Sequence, residues 1–259
     1  MENKIIYYED ELNDEFSGAK IIPRKIDENY KYEHNFLWNF CSFLTQNILS
    51  MPIKYFHSKI KFKLKFVGKE KFKQYKKQGY FIYVNHTQPF EDTFIPSLAV
   101  YSKRNFLIVN PANVSMKGLH TLVEMLGALP IPDNKTAMKN FLEAIKKRIK
   151  KRCSITIYPE AHIWPYYTKI RNFKDVSFKY PIELGTPAFC ITNTYQKYKE
   201  NKVQIVSYVD GPFFADKEEN GVVLNKKQMQ KNLRNKIYNK MVERSRNSNI
   251  KIVRYIRKD

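Results

Sequence analysis

Two short apolar runs, YFIYV at 80–84 and CSITIY at 153–158, narrow the possible folds more than any other feature of this chain. Both are of strand length and rich in β-branched and aromatic residues. YFIYV shows no polar alternation, which predicts a strand covered on both faces, as in a mostly parallel sheet, and CSITIY reads as a second buried strand. Each run stops on polar residues: Asn85-His86 after the first, Pro159-Glu160-Ala161-His162 after the second. In open α/β sheets, sites form beyond the carboxyl ends of strands. His86, Glu160 and His162 can therefore converge although they lie far apart in the chain.

The remaining periodicities agree with this class. Residues 135–151 read as a basic amphipathic helix with Met138, Phe141, Leu142, Ile145 and Ile149 inward. Residues 225–246 read as a long polar helix with Met229, Leu233, Ile237 and Met241 on one side. Helices are also expected at 92–102 and 114–126, and strands at 105–109, 187–192 and 203–209. In IKFKLKFV, residues 60–67, apolar residues and lysines alternate, which predicts a strand with one buried face, ended by Gly68. Strands alternating with helices give an α/β fold: a mixed, mostly parallel sheet flanked by helices.

The N-terminal part differs. Residues 1–30 read as an irregular, acidic arm. After them Phe36, Leu37, Phe40, Phe43, Leu44 and Ile48 recur at spacings of three and four, one face of a helix. Pro52 forces a break or a second helix start. With Trp38, Tyr55 and the flanking lysines, this segment suits a membrane interface; a helix capping the core is the competing reading. The chain thus divides into 1–58, an acidic arm plus amphipathic interfacial helices, and 59–259, the α/β domain.

The formal net charge is +21, and the first 16 residues alone carry −5. Such an excess attracts polyanions: nucleic acid, an anionic membrane surface, coenzyme A or an acidic carrier protein. Only 10 of the 46 basic residues are arginine, and a genome rich in A and T gives that bias without any partner. No zinc-finger spacing or RNP-like segment is present, so no specific nucleic-acid partner is expected. No apolar run approaches the ~18 residues that cross a bilayer. The opening residues lack an apolar h-region, so no secretory leader is expected. Cys41, Cys153 and Cys190 form neither a disulfide framework nor a CxxC pair, which suits a reducing compartment. The expected location is the cytoplasm, peripherally on the inner face of the cell membrane.

His86 opens the segment HTQPFED. A carboxylate of that segment, Glu91 or Asp92, can accept a hydrogen bond from one ring nitrogen and leave the other to take a proton from a hydroxyl. Asp92 also suits the N-cap of the helix that follows. A metal set of His86, Asp92, Glu160 and His162 lacks the HxxxH or HExxH spacing, and no metal is expected.

VNHTQPFED, LGALPIPDN, IYPEAHIW and GTPAFCIT, in this order and at these separations, resemble the four sequence blocks of the glycerolipid acyltransferases, the 1-acyl-glycerol-3-phosphate acyltransferase group. YPEAHIWPYYTKIR looks like a bacterial subgroup, and the resemblance covers about residues 60–210. It implies a glycerol-3-phosphate acyltransferase-like fold and an enzyme of phospholipid biosynthesis. His86 would be the general base that deprotonates an acceptor hydroxyl, which then attacks the thioester of acyl-CoA or acyl-carrier protein. An acid of HTQPFED, Asp92 or Glu91, would orient it. Asn85 and Thr87 flank the base on the substrate side. Glu160 would help to bind the lipid acceptor, and Pro187 with its neighbours would line the acyl or thioester site. No cofactor, metal or acyl-enzyme is implied.

The chain departs from that pattern in three places. The usual acid position holds Glu91, and Asp92 comes one later. Gly-Thr-Arg of the third block is Ala161-His162-Ile163, leaving Lys169 and Arg171 as the nearest basic substitutes, with His162 open to a new role. The second block ends in Pro132-Asp133-Asn134-Lys135 where an arginine is usual. Losing two arginines removes planar, bidentate phosphate recognition. A family member that binds lipid or acyl chains without catalysis is the alternative these changes raise.

Overall fold

A seven-stranded sheet carries the fold in the computed structural model, which describes residues 4–16, 21–89, 91–199, 202–219 and 221–258. Its order is β2 (Lys65–Val67), β8 (Lys202–Phe213), β7 (Ala188–Tyr198), β3 (Tyr80–Val84), β6 (Ser154–Ile157), β4 (Asn105–Val109) and β5 (Ala128–Pro130). From β7 to β5 the neighbours run parallel. β8 runs antiparallel to β7, and β2 lies parallel to β8. The mixed, mostly parallel α/β sheet is therefore present.

All five residues of β3 are buried. Phe81 and Tyr83 point into one hydrophobic layer; Tyr80, Ile82 and Val84 point into the other. α5 (Lys135–Lys150) and α7 (Lys226–Ser245) cover the first layer with Phe141, Ile145, Leu233, Ile237 and Met241. α3 (Phe94–Ala99), with Ile95 and Leu98, covers the second. Burying each large apolar side chain stabilises by about 1.5–3 kcal/mol, so the doubly covered strands fix the sheet. The carboxyl end of β3 consequently delivers Asn85 and His86 to a defined edge.

Three expectations need correction. Residues 60–67 do not form one strand. α2 (Ser50–Phe62) continues through Ile60 because Lys54, Ser58 and Phe62, four apart, form its inward row. Lys63 then turns left-handed at φ 49°, and only 65–67 extend as β2. The expected division after residue 58 falls inside that helix. Second, the acidic arm is not irregular throughout: β1 (Lys4–Tyr8) pairs in parallel with β11 (Val253–Arg257). Residues 1–3 and 17–20 of the arm lie outside the described residues. Third, the helix expected at 114–126 shortens to α4 (His120–Met125), preceded by a 3-10 turn at Pro111–Val114.

α1 (Phe36–Leu44) leads through a π-helical stretch, Thr45–Leu49, into α2. Helical backbone runs on through Leu49 into α2, so Pro52 neither breaks the helix nor starts a second one; the wider π-helical turn immediately precedes α2. The apolar face of this unit does not cap the core. Phe36 is 86% exposed, Leu37 67%, Ile53 67% and Ile60 69%. Apart from Phe62, the fully buried residues of this unit are polar: Ser42, Gln46, Lys54 and Ser58. Ser42 Oγ donates to the Met125 carbonyl, and Gln46 Nε2 donates to the Asn105 and Leu126 carbonyls. Gly127, at φ 102°, makes room for Gln46; a Cβ there would meet Gln46 Nε2 at 2.5 Å and the Asn105 carbonyl at 2.7 Å. No helix among the described residues is long and apolar enough to cross a membrane.

Candidate active site

β3 and β6 are parallel neighbours, so the segments that follow them emerge side by side. Asn85 closes the end of β3. Its Nδ2 donates to the Asn193 carbonyl at 3.1 Å, and its Oδ1 accepts from the Asn193 N–H at 2.8 Å. That side chain acts as an extra rung to β7 and is buried, so it is not presented to a substrate.

The next residue is His86. Its Nδ1 lies 2.8 Å from Asp92 Oδ2. The same carboxylate oxygen accepts the backbone N–H groups of Thr87 and Gln88 at 2.8 and 2.9 Å. A carboxylate accepts only, so the Nδ1 nitrogen carries the shared proton and Nε2 is left with its lone pair. Nε2 has no hydrogen-bond partner among the described residues. The imidazole stacks on Tyr158 with centroids 4.3 Å apart, and its side chain is 16% exposed. Tyr158 is the last residue of CSITIY, and its hydroxyl donates to the Asp92 carbonyl at 2.6 Å. Burial pushes that phenol well up, which keeps it a neutral donor. Burial also raises the Asp92 carboxyl, while His86 and the two N–H groups pull it back.

Glu91 is turned away from His86. It pairs with Lys61 Nζ at 2.6 Å and His57 Nε2 at 3.0 Å, both on α2. Burial raises its carboxyl, but Lys61 and His57 outweigh that and hold it below the ordinary range. Between the two acids, Asp92 is the one in hydrogen-bond reach of the imidazole. Nor is Asp92 a helix cap: Thr93 takes the N-cap position of α3.

Glu160 lies beneath the histidine. Its Oε2 accepts the His86 backbone N–H at 2.8 Å, and Oε1 accepts the Arg171 backbone N–H at 2.8 Å. Both side chains of the Glu160–Arg171 pair are about 1% exposed, with 3.8 Å between Arg171 Nη2 and the carboxylate. Burial raises the Glu160 carboxyl, opposed first by Arg171. The guanidinium also donates to the Glu11 and His162 carbonyls and lies 4.9 Å over the Trp164 ring. Arg171 is thus committed to holding Glu160 and is not placed as a phosphate ligand. Ala161 adopts φ 63°, a left-handed conformation that costs a non-glycine residue about 1–2 kcal/mol and that the usual glycine would take without strain.

The other expected residues are dispersed. His162 Nδ1 pairs with Glu15 Oε2 at 2.8 Å, on the N-terminal arm. Thr87 is buried, with Oγ1 accepting from the Tyr195 hydroxyl at 2.8 Å. Lys169 is exposed. Pro187 precedes β7, and its carbonyl accepts from the Phe81 N–H at 3.1 Å. In the parallel register Ala188 lies opposite Phe81, so Pro187 sits at the amino end of the sheet, a strand length from His86. It does not line the histidine site. No group of three or more His, Cys, Asp or Glu that could hold a metal occurs among the described residues. Sequence reading missed Tyr158, Asn193 and Tyr195. Tyr158 had a visible signal: an aromatic residue at the carboxyl end of a site-forming strand.

The arrangement is an oriented imidazole at the carboxyl end of the sheet, with one nitrogen fixed and one open. A family model described as Acyltransferase matches residues 63–193, which contain His86, Asp92, Glu160 and Arg171. A comparison with curated proteins finds no match. Among solved structures, the 1-acyl-sn-glycerophosphate (LPA) acyltransferase PlsC from Thermotoga maritima superposes with a TM-score of 0.51 at 13% identity. The alignment covers 80% of this chain and 87% of that one, a likeness of fold.

Proposed function

This chain belongs to the acyltransferase family, and we propose that it moves a fatty acyl group from a thioester to a hydroxyl of a glycerolipid-type acceptor, such as lysophosphatidic acid. The donor is acyl-CoA or an acyl-carrier protein, a polyanion suited to a basic enzyme. The observation that carries the reading is the 2.8 Å His86–Asp92 pair, with the opposite ring nitrogen unpartnered among the described residues.

In this mechanism Nε2 of His86 takes the proton from the acceptor hydroxyl as its oxygen attacks the thioester carbonyl. The C–O bond forms, the C–S bond breaks, and the leaving thiolate recovers the proton from the imidazolium. Asp92 holds the ring and stabilises its transient charge. Tyr158 keeps the imidazole in plane, and Glu160 fixes the backbone beneath it. No acyl-enzyme and no cofactor enter the scheme.

The acceptor is a lipid, so the enzyme works at a bilayer surface. The outward apolar row of α1 and α2 supports this, because such a face partitions into the headgroup–acyl boundary. Lys61 and His57 connect α2 directly to the HTQPFED loop through Glu91. Lys169 is exposed, and we assign to it the role of meeting an acceptor phosphate as a point charge.

The test is incubation of the purified chain with radiolabelled acyl-CoA and a panel of lysophospholipids in vesicles. Label moving into a diacyl lipid is expected. A chain that binds vesicles and acyl-CoA but transfers nothing to any hydroxyl acceptor, with acyl-carrier protein as donor too, is the non-catalytic lipid binder.

A further inference from the structure

At the other end of the sheet lies a cavity of about 660 Å³, a volume typical of small-ligand sites. It opens beside Tyr80 at the start of β3, Phe106 in β4 and Cys153 just before β6. His86 and Asp92 lie past the opposite end of β3, about 16 Å away along a five-residue strand. The sheet between is buried on both faces, so one small ligand cannot reach both. None of the residues placed at the His86 site lines this cavity.

Nine of its lining side chains are cationic, against the carboxylates Glu33 and Glu70. Elsewhere the protein pairs its basic groups when they are drawn together: Lys71 and Arg244 share Asp210, and Lys61 has Glu91. Here Arg148 pairs with Glu33. Lys73, Lys76, Lys147, Lys151 and Arg152 pair with no carboxylate among the described residues. Cations at the end of α5 also offset that helix's dipole. That does not account for Lys69, Lys73, Lys76 and Lys103, which come from other segments.

The wall is built, not merely decorated. Lys103 Nζ donates to the Lys76 and Gln78 carbonyls at 3.1 and 2.9 Å, and to that of Arg152. Burial pushes its ammonium down to about 8. Arg104 and Arg148 lie 5.0 and 4.7 Å over the Phe106 ring, and Arg148 Nε is buried without a hydrogen-bond partner. Concentrating like charges around an apolar floor is costly, and a bound anion offsets that cost.

From this juxtaposition we infer a second site: the cavity at the amino end of the sheet binds a phosphate-bearing polyanion. Both a free oligophosphate and a phospholipid headgroup carry that chemistry. Asn39 of α1 lines the rim, so the cavity adjoins the helix whose apolar face is exposed. The inference does not depend on the acyl-transfer reading.

Calorimetry of the full chain with inorganic tripolyphosphate, and flotation on phosphatidylcholine vesicles doped with phosphatidic acid, test the two sources. The triple variant Lys73→Gln/Lys147→Gln/Lys151→Gln should weaken at least one interaction by about tenfold or more. An equal charge change on the exposed start of α7, Lys226→Gln/Lys227→Gln/Lys231→Gln, should change neither by more than about twofold. A tripolyphosphate response assigns a free oligophosphate; a response confined to vesicles assigns a headgroup. Equal weakening by the two triples reduces the effect to net charge and overturns the site. So does a cavity triple that changes neither interaction, an absence of binding to both probes, or loss of binding in His86→Ala.

Discussion

One carboxylate oxygen of Asp92 receives the His86 ring and two backbone N–H groups, so the loop and the imidazole are fixed together. Asp92→Asn would present an amide in place of that acceptor and favour the wrong tautomer. It should lower kcat by about 10²–10⁴ with KM little changed, while Asp92→Glu recovers part of the rate. Steady-state kinetics read this, and a loss confined to KM would show that Asp92 is not the orienting group. Arg171 carries a separate expectation. Arg171→Met leaves the Glu160 carboxylate buried and unpaired, which should cost about 3–5 kcal/mol in urea unfolding. A phosphate ligand at that position would instead raise KM with little loss of stability. The residues of this site were legible unevenly. His86, Asp92 and Glu160 could be read because they stand beyond apolar strands. The roles of Glu160, Arg171 and Asn85 could not, because a motif names residue types and does not say which way a side chain turns at the strand end.

The α1–α2 unit shows how periodicity can identify an element and leave its orientation open. The spacing of Phe36, Leu37, Phe40 and Phe43 marks a helix correctly, yet these residues face outward and the polar row packs on the protein. Burial of Ser42 and Gln46 is tolerated because the carbonyls of 125 and 126, at the end of α4, need donors. In residues 60–67 a two-residue alternation misled, since the helix already running from Ser50 determined the first three positions. Phe36→Ser/Phe40→Ser/Ile53→Ser removes only exposed side chains, so the melting temperature should stay within a degree or two of the parent. Vesicle partitioning should fall by about a hundredfold or more, since each large side chain contributes about 1.5–3 kcal/mol when buried in lipid. Co-sedimentation with phosphatidylglycerol-containing vesicles measures it, and unchanged partitioning would remove this face from the membrane contact.

Across the whole molecule, one sheet presents two different ends: an oriented base at one, a cationic cavity at the other. The α/β class was readable from YFIYV, CSITIY and the helix at 135–151. The pairing of β1 with β11 was not, because both are short, partly exposed strands whose partner lies at the far end of the chain. Asp210 ties β8 to a 3-10 segment, Lys69–Tyr75, and to α7 through Lys71 at 2.9 Å and Arg244 at 2.7 Å. Burial raises its carboxyl, but Arg244 and Lys71 outweigh this and hold it below the ordinary 3.8. A depressed folded value means that this stabilisation is present above about pH 3.8 and fades as pH falls through the folded value. Asp210→Asn should therefore lower the melting temperature at pH 7, with the difference from the parent closing below pH 3.8. A difference that persists at lower pH would assign the loss to packing. The central claim rests on the imidazole at 86, and thiol release from acyl-CoA in the presence of a lysophospholipid acceptor tests it most directly. The account predicts that His86→Ala loses about 10²–10⁴ of the release rate while its melting temperature stays near that of the parent. Release at close to the parental rate by the folded variant would contradict it.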